Sequence, residues 1–471
     1  MRGNLNPSVS TVAVMLVCIA GWAVASACGI LVSSSRILIF LLANLILTFD
    51  MVDLVARIWL KKLHGVTASG PSTDLGLPEI SNAERAAALH PYAVIASVHN
   101  EADDIDRFVQ TLLPFKDLVW LIDDGSTDGT LLRLRRNGWN CLAGTFNRKK
   151  PGALAHLLKA LPSDIQTVVI MDPDVRWTAP SGSERSTLER VISDLQRSSA
   201  AALTPRVQAA RGGWLVECQA LEYELACGLG RKSLRDLSPN SGVSIYRRSA
   251  LEDALARHSL SVYAEDFENS LLLLARGERI YYDDRLIVET RAKQTWSTLF
   301  SQRVGWSFGC ASLFIKRLPQ FMTIARRSPL GAYQYILYLG INGIVLLPLK
   351  LTSIGILAMS LLKAIDDLLM THLIPSYSWN EPLLFALWYA KSTLVLLLAC
   401  MAALPREDRS RHLATLPFYG VYALLQYLPM TIGYTNVLTL GLLGRRLYTD
   451  HYDATPGLDE RSAPVLSGRG A

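Results

Sequence analysis

Charge is scarce in this chain. Asp, Glu, Lys and Arg make up 19% of its 471 residues, while half are hydrophobic. Mean hydropathy is +0.23, high for a soluble protein. No run of Lys or Arg is long enough to follow a nucleic-acid backbone, so no nucleic-acid partner is expected. Cysteine is sparse and unpatterned. Cys18, Cys28, Cys141, Cys218, Cys227, Cys310 and Cys400 are an odd number with no Cys-x-x-Cys, which excludes a disulfide framework and a zinc site. Several read as small buried hydrophobes. The length exceeds one ordinary domain. The formal net charge of +6 fits the basic cytoplasmic flanks of a membrane protein.

The apolar residues concentrate at the two ends. Residues 12–32 are uncharged and long enough for a bilayer, which takes about 20 residues. Ala25-Ser26-Ala27 before Cys28 also imitates a signal-peptide cleavage site, against a leading region that carries only Arg2. Residues 37–59 are a second span, joined to the first by Ser33-Ser34-Ser35-Arg36 as an antiparallel hairpin. Its Asp50 and Asp53 either face a polar interior or mark the interface. Lys61 and Lys62 put the following segment in the cytoplasm. Towards the other end, 332–362 and 383–404 read as spans, and 416–443 as one span or two broken at Pro417, Pro429 and Gly433. Arg406, Arg409, Arg411, Arg445 and Arg446 all prefer the cytoplasm, which conflicts with three C-terminal spans and favours four. Residues 296–318 set Trp296, Leu299, Trp306, Phe308, Leu313 and Phe314 against Arg303, Lys316 and Arg317, the pattern of an interfacial helix.

Between these ends, strand and helix alternate. Tyr92 to Val98 reads as a strand stopped by His99-Asn100-Glu101, and 103–113 has helical spacing. Leu118 to Ile122 is a buried strand running into Asp123-Asp124-Gly125-Ser126, with Asp128 as N-cap of the next helix. Residues 151–161 open with Pro-Gly and continue as a helix. Thr167-Val168-Val169-Ile170 is a short strand covered on both faces. This alternation up to Asp174 means a parallel sheet with helices on its faces. Strands follow near 201–204, 241–248, 279–282 and 286–288, with helices at 214–229 and 266–275.

Asp172-Pro173-Asp174 places two carboxylates at the carboxyl end of a parallel strand, where α/β sheets bind ligands. Pro173 holds Asp172 extended, and Mg²⁺ is typically held by one or two carboxylates plus substrate phosphates. Each piece alone has a plainer reading. Asp-Pro-Asp is more often a surface turn, Lys150 a solvated charge, Glu265-Asp266 a helix N-terminus that favours acids, and Trp306 an interface anchor. Their order along one chain is what makes them specific.

In that order the residues resemble a processive, membrane-embedded family 2 glycosyltransferase, like the hyaluronan, chitin and cellulose synthases. The resemblance runs by motif from Tyr92 to Trp306. His99-Asn100-Glu101 stands where Tyr-Asn-Glu is usual, and Asp123-Asp124-Gly125-Ser126 matches the nucleotide motif. Lys150-Pro151-Gly152-Ala153-Leu154 resembles Lys-x-Gly-Ala-Leu. The resemblance implies donor binding by Asp123, Asp124, Lys150, Asp172 and Arg303. It implies Mg²⁺ or Mn²⁺ on Asp174 and Asp172, and makes Asp266, in Ala264-Glu265-Asp266, the catalytic base. The acceptor side falls to Ser241, Gly242, Gln302 and Trp306. Gln302-Arg303-Val304-Gly305-Trp306 departs from Gln-x-x-Arg-Trp, because Gly305 stands in the place of the arginine that holds the donor pyrophosphate. Arg303, one turn away, is the cation expected to reach those phosphates instead, though a planar guanidinium is not freely relocated.

The expected architecture is a cytoplasmic α/β GT-A (Rossmann-like) domain inserted between the transmembrane helices of a polytopic α-helical membrane protein. Residues 1–62 hold two spans, 63–90 a linker, 91–295 the GT-A domain and 296–330 the interface helices. Residues 331–446 hold three to four spans, and 447–471 a disordered tail. The expected enzyme lies in the inner (plasma) membrane, takes a UDP-sugar, inverts at the anomeric carbon and passes a growing polysaccharide through its own helices. Its partners are the UDP-sugar, the polysaccharide and the bilayer, with a homo-oligomer or an export partner left open. One rival is a non-processive transferase that adds a single sugar to a membrane lipid. Another is a transporter or scaffold with a degenerate nucleotide-sugar domain.

Overall fold

The computed structural model describes residues 34–63, 75, 77, 80–178, 183–259, 263–377, 379–404 and 406–444. The expected span at 12–32, most of the linker, Arg445, Arg446 and the tail lie outside them.

The buried apolar runs form the expected parallel unit. Strand β1 (Tyr92–Val98) lies between β2 (Val119–Asp123) and β4 (Thr167–Ile170), parallel to both. A short β3 (Cys141–Ala143), which no apolar run announces, adds a parallel edge beside β2. Alternate residues of β1 enter two layers, as a period of two requires. Val94, Ala96 and Val98 pack with Phe108, Leu112, Leu188 and Ile192. Ala93 and Ile95 pack with Leu154, Leu157, Leu158 and Leu271. Helices Ile105–Leu112 and Glu184–Arg197 therefore cover one face, and Lys149–Ala160 and Glu265–Arg276 the other.

Beyond β4 the sheet is mixed. Its order is β3-β2-β1-β4-β7-β6-β8-β5, with β5 spanning Val175–Thr178, β6 Ala202–Ala209, β7 Ser244–Arg247 and β8 Ile280–Thr290. β7 is antiparallel to both β4 and β6, β8 is parallel to β6, and β5 is antiparallel to β8. Only Met171 to Asp174 separate β4 from β5, too little chain for the crossover a parallel neighbour needs. The chain therefore leaves β4 at the two carboxylates and forms the far edge. The two short strands expected near 279–288 are one strand of 11 residues. Its pairing with β6 shifts register between Pro205 and Arg206, opposite the polar Asp283-Asp284-Arg285 run. A bulge, not a break, interrupts the apolar pattern.

Around this domain stand the apolar helices. Ser34–Ala43 and Leu45–Leu63 break at Asn44, whose amide donates to Phe40 O at 2.8 Å. Asp53 is turned inward, accepting from Arg57 Nε at 2.8 Å and from Tyr333 OH at 2.5 Å. Residues 416–443 form two helices, Leu416–Leu425 and Tyr427–Leu443. Among the described residues, Leu347–Leu368 and Pro382–Ala403 are long and apolar enough to cross a membrane. Helix Trp296–Lys316 is packed tightly into this assembly. A Cβ on Gly433 would come 2.7 Å from Val304 O and 2.8 Å from Phe308 N.

Candidate active site

Because β1, β2 and β4 run parallel, the segments that leave their carboxyl ends share one edge of the sheet. Asp123 and Asp124 lie there side by side and do different work. Asp123 Oδ2 accepts from Ser126 N at 3.1 Å, while its buried Oδ1 has no partner among the described residues. The Asp124 carboxylate takes the Arg148 N–H on both oxygens, at 2.9 and 2.8 Å. Burial pushes its pKa up to about 6. Asp124 thus anchors the turn leading to Lys150, and Asp123 keeps one oxygen without a partner among the described residues. The foreseen N-cap Asp128 serves one residue early, its Oδ1 accepting from Thr130 N at 3.0 Å.

Lys150 lies in the first turn of helix Lys149–Ala160. Its Nζ is 2.7 Å from Asp172 Oδ1, 2.9 Å from Glu265 Oε1 and 3.2 Å from Asp266 Oδ1. One ammonium thus joins the strand-end acid to the first turn of helix Glu265–Arg276. Burial works against the charge on Lys150, yet Asp172, Asp266 and Glu265 hold it protonated. Burial raises the pKa of Asp172 and that of Asp266, the latter to about 6, with Lys150 opposing both shifts. Glu265 was not among the expected donor or base residues; only its proximity to Lys150 brings it in.

Asp174 is solvent-exposed, and its carboxylate makes no hydrogen bond or ion pair with the described residues. No group of three or more Asp, Glu, His or Cys able to hold a metal ion occurs among the described residues. Asp172 and Asp174 fit an ion whose shell the donor's diphosphate would complete, as Mg²⁺ sites commonly require.

Where the acceptor is expected, Gly242 presses against Asp172. A Cβ there would overlap Asp172 Oδ2 and lie 2.9 Å from Asp172 Cγ. Ser241 Oγ donates to Val243 O at 3.1 Å and lies 3.5 Å from Thr204 Oγ1. Both amide atoms of Asn240 and the Tyr246 hydroxyl are buried nearby with no hydrogen-bond partner among the described residues. An Asn before Ser-Gly reads as a turn, so Asn240 carried no signal, while Tyr246 lies on the strand expected at 241–248.

Arg303, expected to reach the donor's phosphates, is paired within the protein. It is 7% exposed, donates from Nη2 to Glu222 Oε2 at 2.8 Å, and stacks 4.3 Å from the Trp306 ring centroid. Tyr422 OH also donates to Glu222 Oε2, at 2.6 Å. The reason is the packing of two helices. Helix Trp214–Leu225 presents a carboxylate to a guanidinium that would be costly to bury unpaired. Trp306 remains 41% exposed, and Gln302 Oε1 is buried without a partner among the described residues. The Tyr263 ring fills the space beside Gly305: a Cβ there would overlap its Cε1 and lie 2.8 Å from Cδ1 and Cζ.

Residues 93–223 match the family described as Glycosyl transferase family 2. Residues 185–427, just over half the chain, match Glycosyl transferase family group 2. The chain belongs to glycosyl transferase family group 2. It is a glycosyltransferase, and its α/β domain with a mixed sheet is of the GT-A kind. Among solved structures, it matches the crystal structure of GalNAc-T7 with UDP, GalNAc and Mn²⁺, at 14% identity and a TM-score of 0.33. The match covers 44% of this glycosyltransferase and 44% of the other chain, so less than half of that protein's length is spanned. No curated protein matches.

Proposed function

We propose that this glycosyltransferase is a multi-pass protein of the inner (plasma) membrane with its α/β domain in the cytoplasm. It uses a UDP-sugar and inverts at the anomeric carbon. It elongates a polysaccharide that passes through its own helices. The observation that carries the reading is Lys150, hydrogen-bonding or ion-pairing with Asp172, Glu265 and Asp266 within 3.2 Å. Leaving-group chemistry and proton removal therefore meet at one point.

The acceptor's hydroxyl oxygen attacks the anomeric carbon as the bond from that carbon to the donor's β-phosphate oxygen breaks. The bonding pair leaves with UDP, and the hydroxyl proton ends on the Asp266 carboxylate. With one base and no separate nucleophile, a single in-line displacement inverts the centre. Lys150 gives positive charge to the departing diphosphate. A Mg²⁺ or Mn²⁺ held by Asp172 and Asp174 would neutralise further charge there. The unpartnered Asp123 Oδ1 accepts from the base or ribose of the nucleotide, and Trp306 offers its exposed face to the acceptor sugar.

A second reading is transfer of one sugar to a membrane lipid. It is favoured by Tyr263, which fills the space that the arginine of the resembled processive enzymes would need at 305. Release of the donor's nucleoside diphosphate by the purified protein in lipid nanodiscs separates the two. The donors are UDP-glucose, UDP-GlcNAc, UDP-glucuronate and GDP-mannose, singly and in pairs, with the product sized. A polymer establishes the first reading and a mono-glycosylated lipid the second. UDP binding without turnover under any donor defeats both.

A further inference from the structure

A cavity of about 530 Å³ opens away from the catalytic edge, on the far side of helix Glu265–Arg276. That helix contributes Leu272, Ala275 and Arg276 to its wall. Arg257 and Arg317 are added from the neighbouring turns, and Gln320 and Thr323 from helix Leu318–Arg327. The volume lies within the usual range of small-ligand sites. Helix Leu318–Arg327 buries Phe321 and Ile324 against the domain and leads, through Pro329–Gly331 and Ala332–Val345, into the apolar helices.

The charges in this wall do not balance. Asp253 is shared, accepting from Arg257 Nη2 and, at 2.5 Å, from Arg276 Nη1. Arg317 spends Nε on the fully buried Glu268 at 2.7 Å and Nη2 on Arg257 O at 2.6 Å. Three guanidiniums thus face two carboxylates, and Glu268 is further engaged by Ser259 Oγ at 2.6 Å. Arg257 Nη1, Arg276 Nη2 and Arg317 Nη1 form no hydrogen bond with the described residues. Gln320 Oε1, in the same wall, is buried with no partner among the described residues. Converging planar guanidiniums with free N–H groups are the arrangement that recognises phosphate oxygens.

We propose that this cavity binds a phosphate-bearing ligand, either a phospholipid headgroup or a soluble phosphate. The lipid source rests on the membrane reading above; the soluble one does not. The ligand's oxygens take the uncommitted N–H groups of Arg257, Arg276 and Arg317, and its charge offsets the surplus guanidinium. Arg317 ties the cavity to Glu268, two residues beyond Asp266, so the ligand bears on the turn that carries the base.

The test uses the full chain and an R257A/R276A variant. Both side chains are partly exposed and lie outside the catalytic machinery. Arg317 is left intact, because its loss would strand the buried Glu268. Each protein is reconstituted in phosphatidylcholine nanodiscs with and without phosphatidic acid. Retained phosphatidic acid is measured by lipid mass spectrometry, and inorganic phosphate is titrated calorimetrically. Wild type binds at least one of the two probes, and the variant binds it about tenfold or more weakly. Phosphatidic acid retained against excess inorganic phosphate identifies a lipid headgroup; phosphate binding without lipid enrichment identifies a soluble ligand. Wild-type protein that binds neither, or a variant that binds as tightly as wild type, overturns the proposal. Sugar transfer in phosphatidylcholine alone is unchanged in the variant. Absence of turnover with every donor would sink the transferase reading and leave the cavity measurement intact.

Discussion

The carboxyl edge of β1, β2 and β4 and the helix Trp296–Lys316 are built under unlike constraints. On the strand edge, backbone register decides where an acid stands. Val98 lies opposite Asp123, and Ile95 opposite Ile170, so the following residues meet at one rim. On the helix, close packing decides. Gly305 and Gly309 receive Tyr263 and Ala264 on one face, and Gly433 of a neighbouring helix presses on Val304 and Phe308 at another. Strand residues on the edge are therefore held by the backbone ladder. On the helix, one added methyl changes the position of its neighbours.

Asp266→Asn puts the proposed base to the sharpest test. Turnover should fall by about 10²–10⁴-fold while calorimetric UDP affinity stays nearly unchanged. Near-normal transfer by that variant would move the base elsewhere. Gly242→Ala carries the packing constraint onto the strand edge. Its Cβ displaces Asp172, and the Mn²⁺ or Mg²⁺ concentration for half-maximal activity should rise about 10–100-fold. An unchanged metal requirement would mean that Asp172 is not a ligand.

Gly305→Arg probes the helix. It should lower turnover and cost about 1–3 kcal/mol of stability, because Tyr263 must leave its seat. Tyr263→Ala in the same chain should recover part of the loss. A gain in donor affinity or product length from Gly305→Arg alone would show that the helix yields to the donor. Arg303→Ala should cost about 1–3 kcal/mol by stranding Glu222; donor KM should move by less than about tenfold. A larger rise in donor KM would return Arg303 to the diphosphate. The mildest effect is that of pH. Asp266 must be ionised to accept a proton, and its pKa is raised to about 6. The rate should therefore fall as pH drops through that value and level off above it, and Asp266→Asn should abolish that limb.

Several elements are legible in the sequence. β1, β2 and β4 declare themselves as buried apolar runs that end in acids, and Asp123, Lys150, Asp172 and Asp266 stand on or beside the edge those strands form. The positions of β3 and β5 were not legible. One has three residues and the other follows β4 across a four-residue gap, so neither shows a long apolar period.

The sequence by itself determined the parallel half of the sheet and the identity of the acids at its rim, because strand period and strand-end position are local properties. Tertiary structure alone decided the rest: that Asp124 holds a turn while Asp123 keeps one oxygen without a partner among the described residues, that Arg303 pairs with Glu222, and that Tyr263 fills the space beside Gly305. These outcomes depend on groups distant in the chain. Arg303 and Glu222 are 81 residues apart, and Lys150 and Asp266 are 116 apart. A buried cation takes whichever carboxylate the packed helices bring within reach, and no local pattern specifies which one that is.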